Sequence, residues 1–294
     1  MQLDNPVLSA SGTFGYGTEA PAAASHLGGI VTKTITLEPR SGNPPPRIAE
    51  TPAGLLNSIG LQNVGVERFL SEKLPALREA GRPVVVSVGG RTIDEFRRVV
   101  SILNQAEGVA AYELNVSCPN VEEGGLEFSQ VASTTASLVG RVRESTDRPL
   151  WVKLSPNVTS IGDLARACQE AGADAVTAIN TFVGMAVDLE QRRPRLARPT
   201  GGLSGPAIRP LALARVYEIV RSVSIPVIGV GGIRFAHDAL EFLLVGARAV
   251  QVGTAHFLRP DQGAEIVDGI RGFLDRHGIA SIEQFIGTLG DCSE

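Results

Sequence analysis

The segment Asn115-Val116-Ser117-Cys118-Pro119-Asn120 gathers two carboxamides, a hydroxyl and a thiol around a proline turn. It follows the run Val109 to Leu114, which reads as a buried apolar strand. Carboxamides and hydroxyls both donate and accept hydrogen bonds, so they suit a planar, polar, amide-rich substrate. A thiol titrates near ~8.5, which keeps a thiolate within reach at neutral pH. The chemistry this combination offers is removal of a proton from a C–H bond, with Cys118 as the base. A packed cysteine beside a turn would explain Cys118 alone. The flanking asparagines and the downstream Gly124-Gly125 pair favour a site.

Other strand ends carry further chemistry. Lys153 lies inside the apolar run Trp151-Val152-Lys153-Leu154, where an ammonium is costly without an anionic partner. The bland alternative is a lysine that snorkels out of the core. Gly231-Gly232 and Gly253-Thr254 each follow an apolar run and free backbone N–H groups beside a helix start, which suits a phosphate. Ala10-Ser11-Gly12, Lys33-Thr34 and Asn180-Thr181 add polar groups at three more ends.

The elements that must position these groups alternate regularly. Strands are predicted at Val7–Ala10, Ile30–Thr34, Val84–Val88, Ala111–Asn115, Leu150–Leu154, Ala175–Ile179, Pro226–Val230 and Ala249–Val252. They are nearly continuous in Val, Ile, Leu and Ala, as parallel strands covered on both faces must be. Helical patterns occupy Val66–Ala80, Ile93–Ala106, Ser129–Ser145, Ile161–Ala171, Pro210–Ser222 and Ala236–Val245. Gly81, Gly172 and Gly246 follow three of them as left-handed C-caps. Eight β/α alternations predict a single-domain TIM (β/α)8 barrel over 1–294, with its site at the strand C-terminal ends. Two long connections, Leu37–Val64 and Phe182–Gly205, leave that same face.

Composition excludes several classes. The net charge is −4, with no basic patch for nucleic acid. No apolar run is long enough to span a membrane, and the N-terminal segment lacks signal-peptide features, so a cytoplasmic protein is expected. Cysteines 118, 168 and 292 form no CxxC pair and cannot supply a four-thiolate iron–sulfur cluster. His26, His237, His256 and His277 show no metal-ligand spacing. The run Gly15-Tyr16-Gly17-Thr18-Glu19-Ala20 matches a dinucleotide fingerprint on paper, but Pro21 leaves little room for the helix it needs.

These residues together resemble the class 1 dihydroorotate dehydrogenases, FMN-dependent barrels of pyrimidine synthesis. The resemblance covers essentially the whole chain. It is carried by Lys33-Thr34, Asn57-Ser58-Ile59-Gly60-Leu61-Gln62-Asn63, the Asn115–Asn120 segment, Val152-Lys153-Leu154-Ser155-Pro156-Asn157, Ile179-Asn180-Thr181 and Gly201-Gly202-Leu203-Ser204-Gly205. It implies Cys118 as catalytic base. It implies orotate contacts at Lys33, Asn57, Ile59, Gly60, Leu61, Asn115, Asn120, Asn180 and Thr181. It implies FMN contacts at Ala10, Ser11, Lys33, Thr34, Asn115, Lys153, Ile179, Gly205, Gly231, Gly232, Gly253 and Thr254. Cys118-Pro119-Asn120-Val121 with Gly124-Gly125, and Leu154-Ser155-Pro156-Asn157, are similar to the 1B form. That form implies a homodimer core in a heterotetramer, with a partner subunit carrying FAD and [2Fe–2S] and passing electrons to NAD.

Two departures stand out. Ser87 occupies a third-strand position where relatives place a flavin-contacting Asn, and the leading segment before Leu3-Asp4-Asn5-Pro6 is short, which predicts a more open barrel bottom. Alternatives are a fumarate-dependent 1A enzyme, a related FMN barrel acting on another dihydropyrimidine or on tRNA, and a silent flavin-binding subunit.

Overall fold

The computed structural model describes residues 1–117, 119–120 and 126–290, with backbone alone at 119, 120, 126 and 127. Cys118 and the Gly124-Gly125 pair lie outside the described residues. All eight predicted strands are present. We label them β1 (Val7–Ser9), β2 (Ile30–Val31), β3 (Val84–Val88), β4 (Ala111–Asn115), β5 (Leu150–Leu154), β6 (Ala175–Ala178), β7 (Val227–Val230) and β8 (Ala249–Val252). They form one parallel sheet in the order β1-β8-β7-β6-β5-β4-β3-β2. The seam between β1 and β2 is closed by a Leu8–Gly29 bridge and by a side chain. The Ser9 hydroxyl accepts from Val31 N at 3.0 Å and donates to Val31 O at 3.2 Å, standing in for a ladder pair where β2 is only two residues long.

Successive strand residues point to opposite faces, so every second residue enters the barrel. The lowest interior layer takes one residue from each strand: Leu8, Val31, Val85, Ala111, Trp151, Ala175, Ile228 and Ala249. Leu3 packs against this layer from below. The bottom is therefore plugged, which corrects the expectation of an open end. Two residues further along five of the strands the interior turns polar, with Ser87, Glu113, Lys153, Thr177 and Gln251 all buried. Glu113 sits within the run that reads as purely apolar in the sequence.

The predicted helices are present with shifted ends. The first is built in three pieces, Gly65–Arg68, a π-helical turn at Phe69–Lys73, and Leu74–Glu79. The others span Ile93–Asn104, Ala132–Arg143, Ile161–Glu170, Arg209–Val220 and Ala236–Leu244, and a further helix, Gln262–His277, was not anticipated. Thr92 and Ser160 cap two of them by accepting from Glu95 N and Asp163 N. Gly81, Gly172 and Gly246 adopt positive φ as foreseen. After the paper fingerprint at Gly15–Ala20 comes only the four-residue helix Pro21–Ala24, and the Glu19 carboxylate turns back to accept from Tyr16 N. This is a turn, not a dinucleotide fold.

The two long connections are not independent loops. Ile48–Thr51, Gly54–Asn57, Gly201–Ser204 and Phe182–Gly184 form one four-stranded antiparallel sheet over the C-terminal mouth of the barrel. Among the described residues, no helix is long and apolar enough to cross a membrane.

His256, on the short helix Ala255–Leu258 that follows β8, is buried, its ring centroid 4.6 Å from that of Phe14. Burial pushes its imidazole down from 6.5 to about 4. The unfolded chain therefore binds a proton that the folded chain refuses, and stability present above about pH 6.5 is lost as pH falls towards 4. Denaturant melts are expected to show a loss of about 3 kcal/mol across that interval from this group. His256→Leu should flatten the acid slope by that amount, and an unchanged slope would count against it.

Candidate active site

The barrel mouth opens into a cleft with two arms that share Ser11, Lys153, Asn180 and Thr181. The wide chamber, about 610 Å³, lies under the four-stranded sheet. It is lined by Lys33, Thr34, Asn57, Ile59, Gly60, Leu61 and Asn115 together with the shared residues. The narrow arm, about 90 Å³, runs between the ends of β7 and β8. Ala10, Ile179, Gly205, Gly231, Gly232, Gly253 and Thr254 line it. Every sequence-predicted site residue with a described side chain thus borders one cleft. Cys118 and the Asn120 side chain lie outside the described residues, while the Asn120 backbone pairs with Leu126.

The chamber floor is a continuous amide–hydroxyl chain. Asn180 Nδ2 donates to Asn115 Oδ1 at 3.2 Å and to Ser117 Oγ at 3.0 Å. Asn115 Nδ2 donates to Thr34 Oγ1 at 3.3 Å, and Thr34 exchanges hydrogen bonds with Ser11 at 3.2 Å and Ser87 at 3.0 Å. Ser87 therefore stands behind Thr34 and spends its hydroxyl there. Asn57 reaches the chamber from the covering sheet, where its Nδ2 donates to Gly202 O at 3.1 Å. A Cβ on Gly202 would meet Thr181 Oγ1 at 2.2 Å, so only glycine lets Asn57 and Thr181 approach from opposite sides.

The loop carrying Ile59–Leu61 is held in an unusual shape. Gly60 and Leu61 both have positive φ, 74° and 57°, which is uncommon for leucine. Arg47 pins this loop by donating to Asn43 O, Ser41 O and Gln62 Oε1. Among the described residues, the N–H groups of Ile59, Gly60 and Leu61 donate to no protein acceptor. Successive free N–H groups of this kind form a concavity suited to an anion such as a carboxylate. Lys33 faces the same chamber with no ion-pair partner among the described residues. Burial, then the Arg47 cation, holds its ammonium below the ordinary lysine range.

In the narrow arm the N–H groups of Gly231, Gly232, Gly253 and Thr254 likewise donate to no protein acceptor among the described residues. Gly232 has φ of 75°, and its Cβ would lie 2.7 Å from the backbone N of Arg209, so the strand-to-helix turn itself demands glycine. Gly253 differs: its Cβ would make only ordinary contacts, 3.5 Å to Ala10 and 3.8 Å to Thr13, both residues of the arm. Its bareness keeps the arm open without being required for packing. The Thr254 hydroxyl donates to Ser204 Oγ at 2.8 Å, tying the arm to the covering sheet. These donors fit a phosphate, and the chamber beside them fits a planar ring system with Lys153 along its edge.

Lys153 points into the barrel, not out of it. Only 6% exposed, it donates to Gln251 Oε1 at 3.2 Å and lies 3.8 Å from Glu113 Oε1. Glu113 and Gln251 supply the partners that a lysine inside an apolar run needs, and neither is among the residues the sequence singles out. Ser204 and Asn157 also line the cleft without being singled out as site residues by the sequence. Asn157 braces Thr181 O and Val183 N. The period-two spacing of Glu113 with Asn115 was a usable signal for the first of these. Nothing in the sequence pairs Ser204 with Thr254.

Comparison with known proteins agrees with this geometry. A family model described as dihydroorotate dehydrogenase matches residues 1–274. A dihydroorotate dehydrogenase B (NAD(+)), catalytic subunit, of Geotalea uraniireducens is 51% identical over 291 residues, covering 98% of this chain and 95% of the relative. The proteins of the same name from Trichlorobacter lovleyi and Geobacter sulfurreducens are 52% and 50% identical over 98% of this chain. With one family model spanning nearly all of the barrel and relatives matched end to end, the chain belongs to the dihydroorotate dehydrogenase family.

Proposed function

We propose that this chain is the FMN-carrying catalytic subunit of a class 1B dihydroorotate dehydrogenase, a single barrel domain that oxidises dihydroorotate to orotate in pyrimidine synthesis. The observation that carries this is the joining, in one cleft, of a phosphate-sized arm of free N–H groups and a carboxamide-lined chamber. When bound, FMN supplies the two-electron acceptor for the substrate's C6–H bond. Its phosphate would lie on Gly231, Gly232, Gly253 and Thr254, and its pyrimidine edge beside Lys153. The substrate's ring amides would bond Asn57, Asn115, Asn120 and Asn180, which can donate and accept. Its carboxylate suits the N–H groups of Ile59–Leu61. Cys118, carried on the segment after β4, would take the C5 proton.

Gly253→Val is the clean test of the cofactor arm, because its side chain would fill the arm without disturbing a turn. The variant is expected to fold and purify without FMN, whereas full occupancy would contradict the assignment. Gly232→Val answers less, since that position is constrained by Arg209.

A thiol base must lose its own proton before it can act. Flavin reduction by dihydroorotate should accelerate as pH rises, until the thiolate dominates. Cys118→Ala should retain orotate binding and reduce the flavin ~10²–10⁴-fold more slowly. A variant reduced at nearly the normal rate would remove Cys118 from the chemistry.

Electrons must then leave the flavin. Three cysteines cannot hold a four-thiolate cluster, and the paper dinucleotide fingerprint is a turn. The names of the relatives add that such subunits serve an NAD(+) enzyme. The full assembly proposed is a homodimer of this chain with partner subunits that bear FAD and [2Fe–2S]. Supplied with dihydroorotate, the isolated chain should reduce artificial acceptors but neither NAD nor fumarate at a useful rate. Rapid fumarate turnover would point to the 1A form, and rapid NAD turnover alone would remove the need for a partner.

A further inference from the structure

Beneath the cleft, Glu113 is fully buried on β4. Its Oε2 accepts from Thr177 Oγ1 at 2.9 Å and from Gln251 Nε2 at 2.6 Å. Its Oε1 has no hydrogen-bond partner among the described residues and faces the Lys153 ammonium at 3.8 Å. The Gln251 amide bridges the two charges, giving its N–H to Glu113 and its carbonyl to Lys153. That orientation suits a carboxylate, which only accepts, on Glu113 and an ammonium, which only donates, on Lys153.

Among the described residues, the other groups around Lys153 supply no negative charge. Thr177 on β6 and Gln251 on β8 are neutral. The remaining charged side chains that line the cleft, Lys33 and Arg234, are cations. Glu113 is therefore the one carboxylate paired with Lys153 among the described residues. An oxidised flavin ring is neutral and offers a buried ammonium little compensation.

We infer that Glu113 is a positioning residue for Lys153, keeping its ammonium charged and aimed at the cleft while the flavin is still oxidised. The inference rests on the FMN reading above. With the charge set in advance, Lys153 need not collect a proton when electrons arrive, and the edge that becomes anionic meets a preformed cation.

Sulfite tests this without turnover. Its sulfur lone pair forms a bond to flavin N5, and the displaced electron pair settles on the N1–C2=O edge, so affinity reports how well the protein stabilises negative charge there. FMN content is measured first. A wild-type chain that holds no FMN overturns both the flavin reading and this inference. For FMN-replete protein, sulfite dissociation constants are taken as ratios to wild type at about pH 6 and about pH 9, which cancels the ionisation of sulfite itself. Lys153→Met should bind sulfite more weakly at both pH values. Glu113→Gln keeps the shape and removes the charge. It should weaken sulfite binding about tenfold or more at the higher pH and approach wild type at the lower, where bulk protons recharge Lys153. Wild-type affinity at both pH values, or an equal loss at both, would overturn the inference. Should Glu113→Gln fail to retain flavin, Glu113→Asp carries the same test. Its shorter carboxylate is withdrawn from the ammonium, so a smaller loss with the same pH trend is expected, and absence of that trend would overturn the inference.

Discussion

In a closed parallel barrel every second strand residue faces the axis, and that interior must be filled without leaving charge uncompensated. In this chain the pleat resolves the interior into layers. An apolar layer with one residue from each strand seals the bottom. Above it lies a buried polar layer in which Glu113, Lys153, Thr177 and Gln251 are joined by hydrogen bonds and one ion pair. Above that, the same alternation delivers Asn115, Ser155 and Ile179 to the cleft. Asn115, which lines the cleft, is thus two positions from Glu113 on one strand, and Glu113 in turn pairs with Lys153 on the neighbouring strand.

Much of this was legible in the sequence because parallel strands announce themselves as short apolar runs. All eight runs became strands, and the glycines after β7 and β8 line the narrow arm. The interior partners were not legible in the same way. Glu113 hides inside an apolar run, and only the period-two register tells that it faces inward beside Lys153. The covering sheet was invisible for a different reason. Its central pairing joins Asn57 to Gly202 across 145 positions, and such non-local contacts leave no local pattern. Leu3 closing the barrel bottom is another tertiary fact of this kind.

The covering sheet and the barrel divide the work of the cleft. The barrel supplies rigid strand ends, where side-chain direction is fixed by backbone pairing. The sheet supplies Asn57 and, through the Arg47-pinned loop, the exposed N–H groups of Ile59–Leu61. Gly202, where a Cβ would collide with Thr181, is the contact that lets one layer lie flat on the other. A planar ring between them would meet neutral amides on both sides, which suits one whose own hydrogen-bonding groups are amides.

The most direct measurement is the flavin spectrum of the purified chain when dihydroorotate is added without oxygen. The account predicts a yellow protein whose flavin absorbance is bleached by dihydroorotate in the absence of any partner subunit. A chain that carries a full complement of FMN and keeps its oxidised spectrum under saturating dihydroorotate would contradict it.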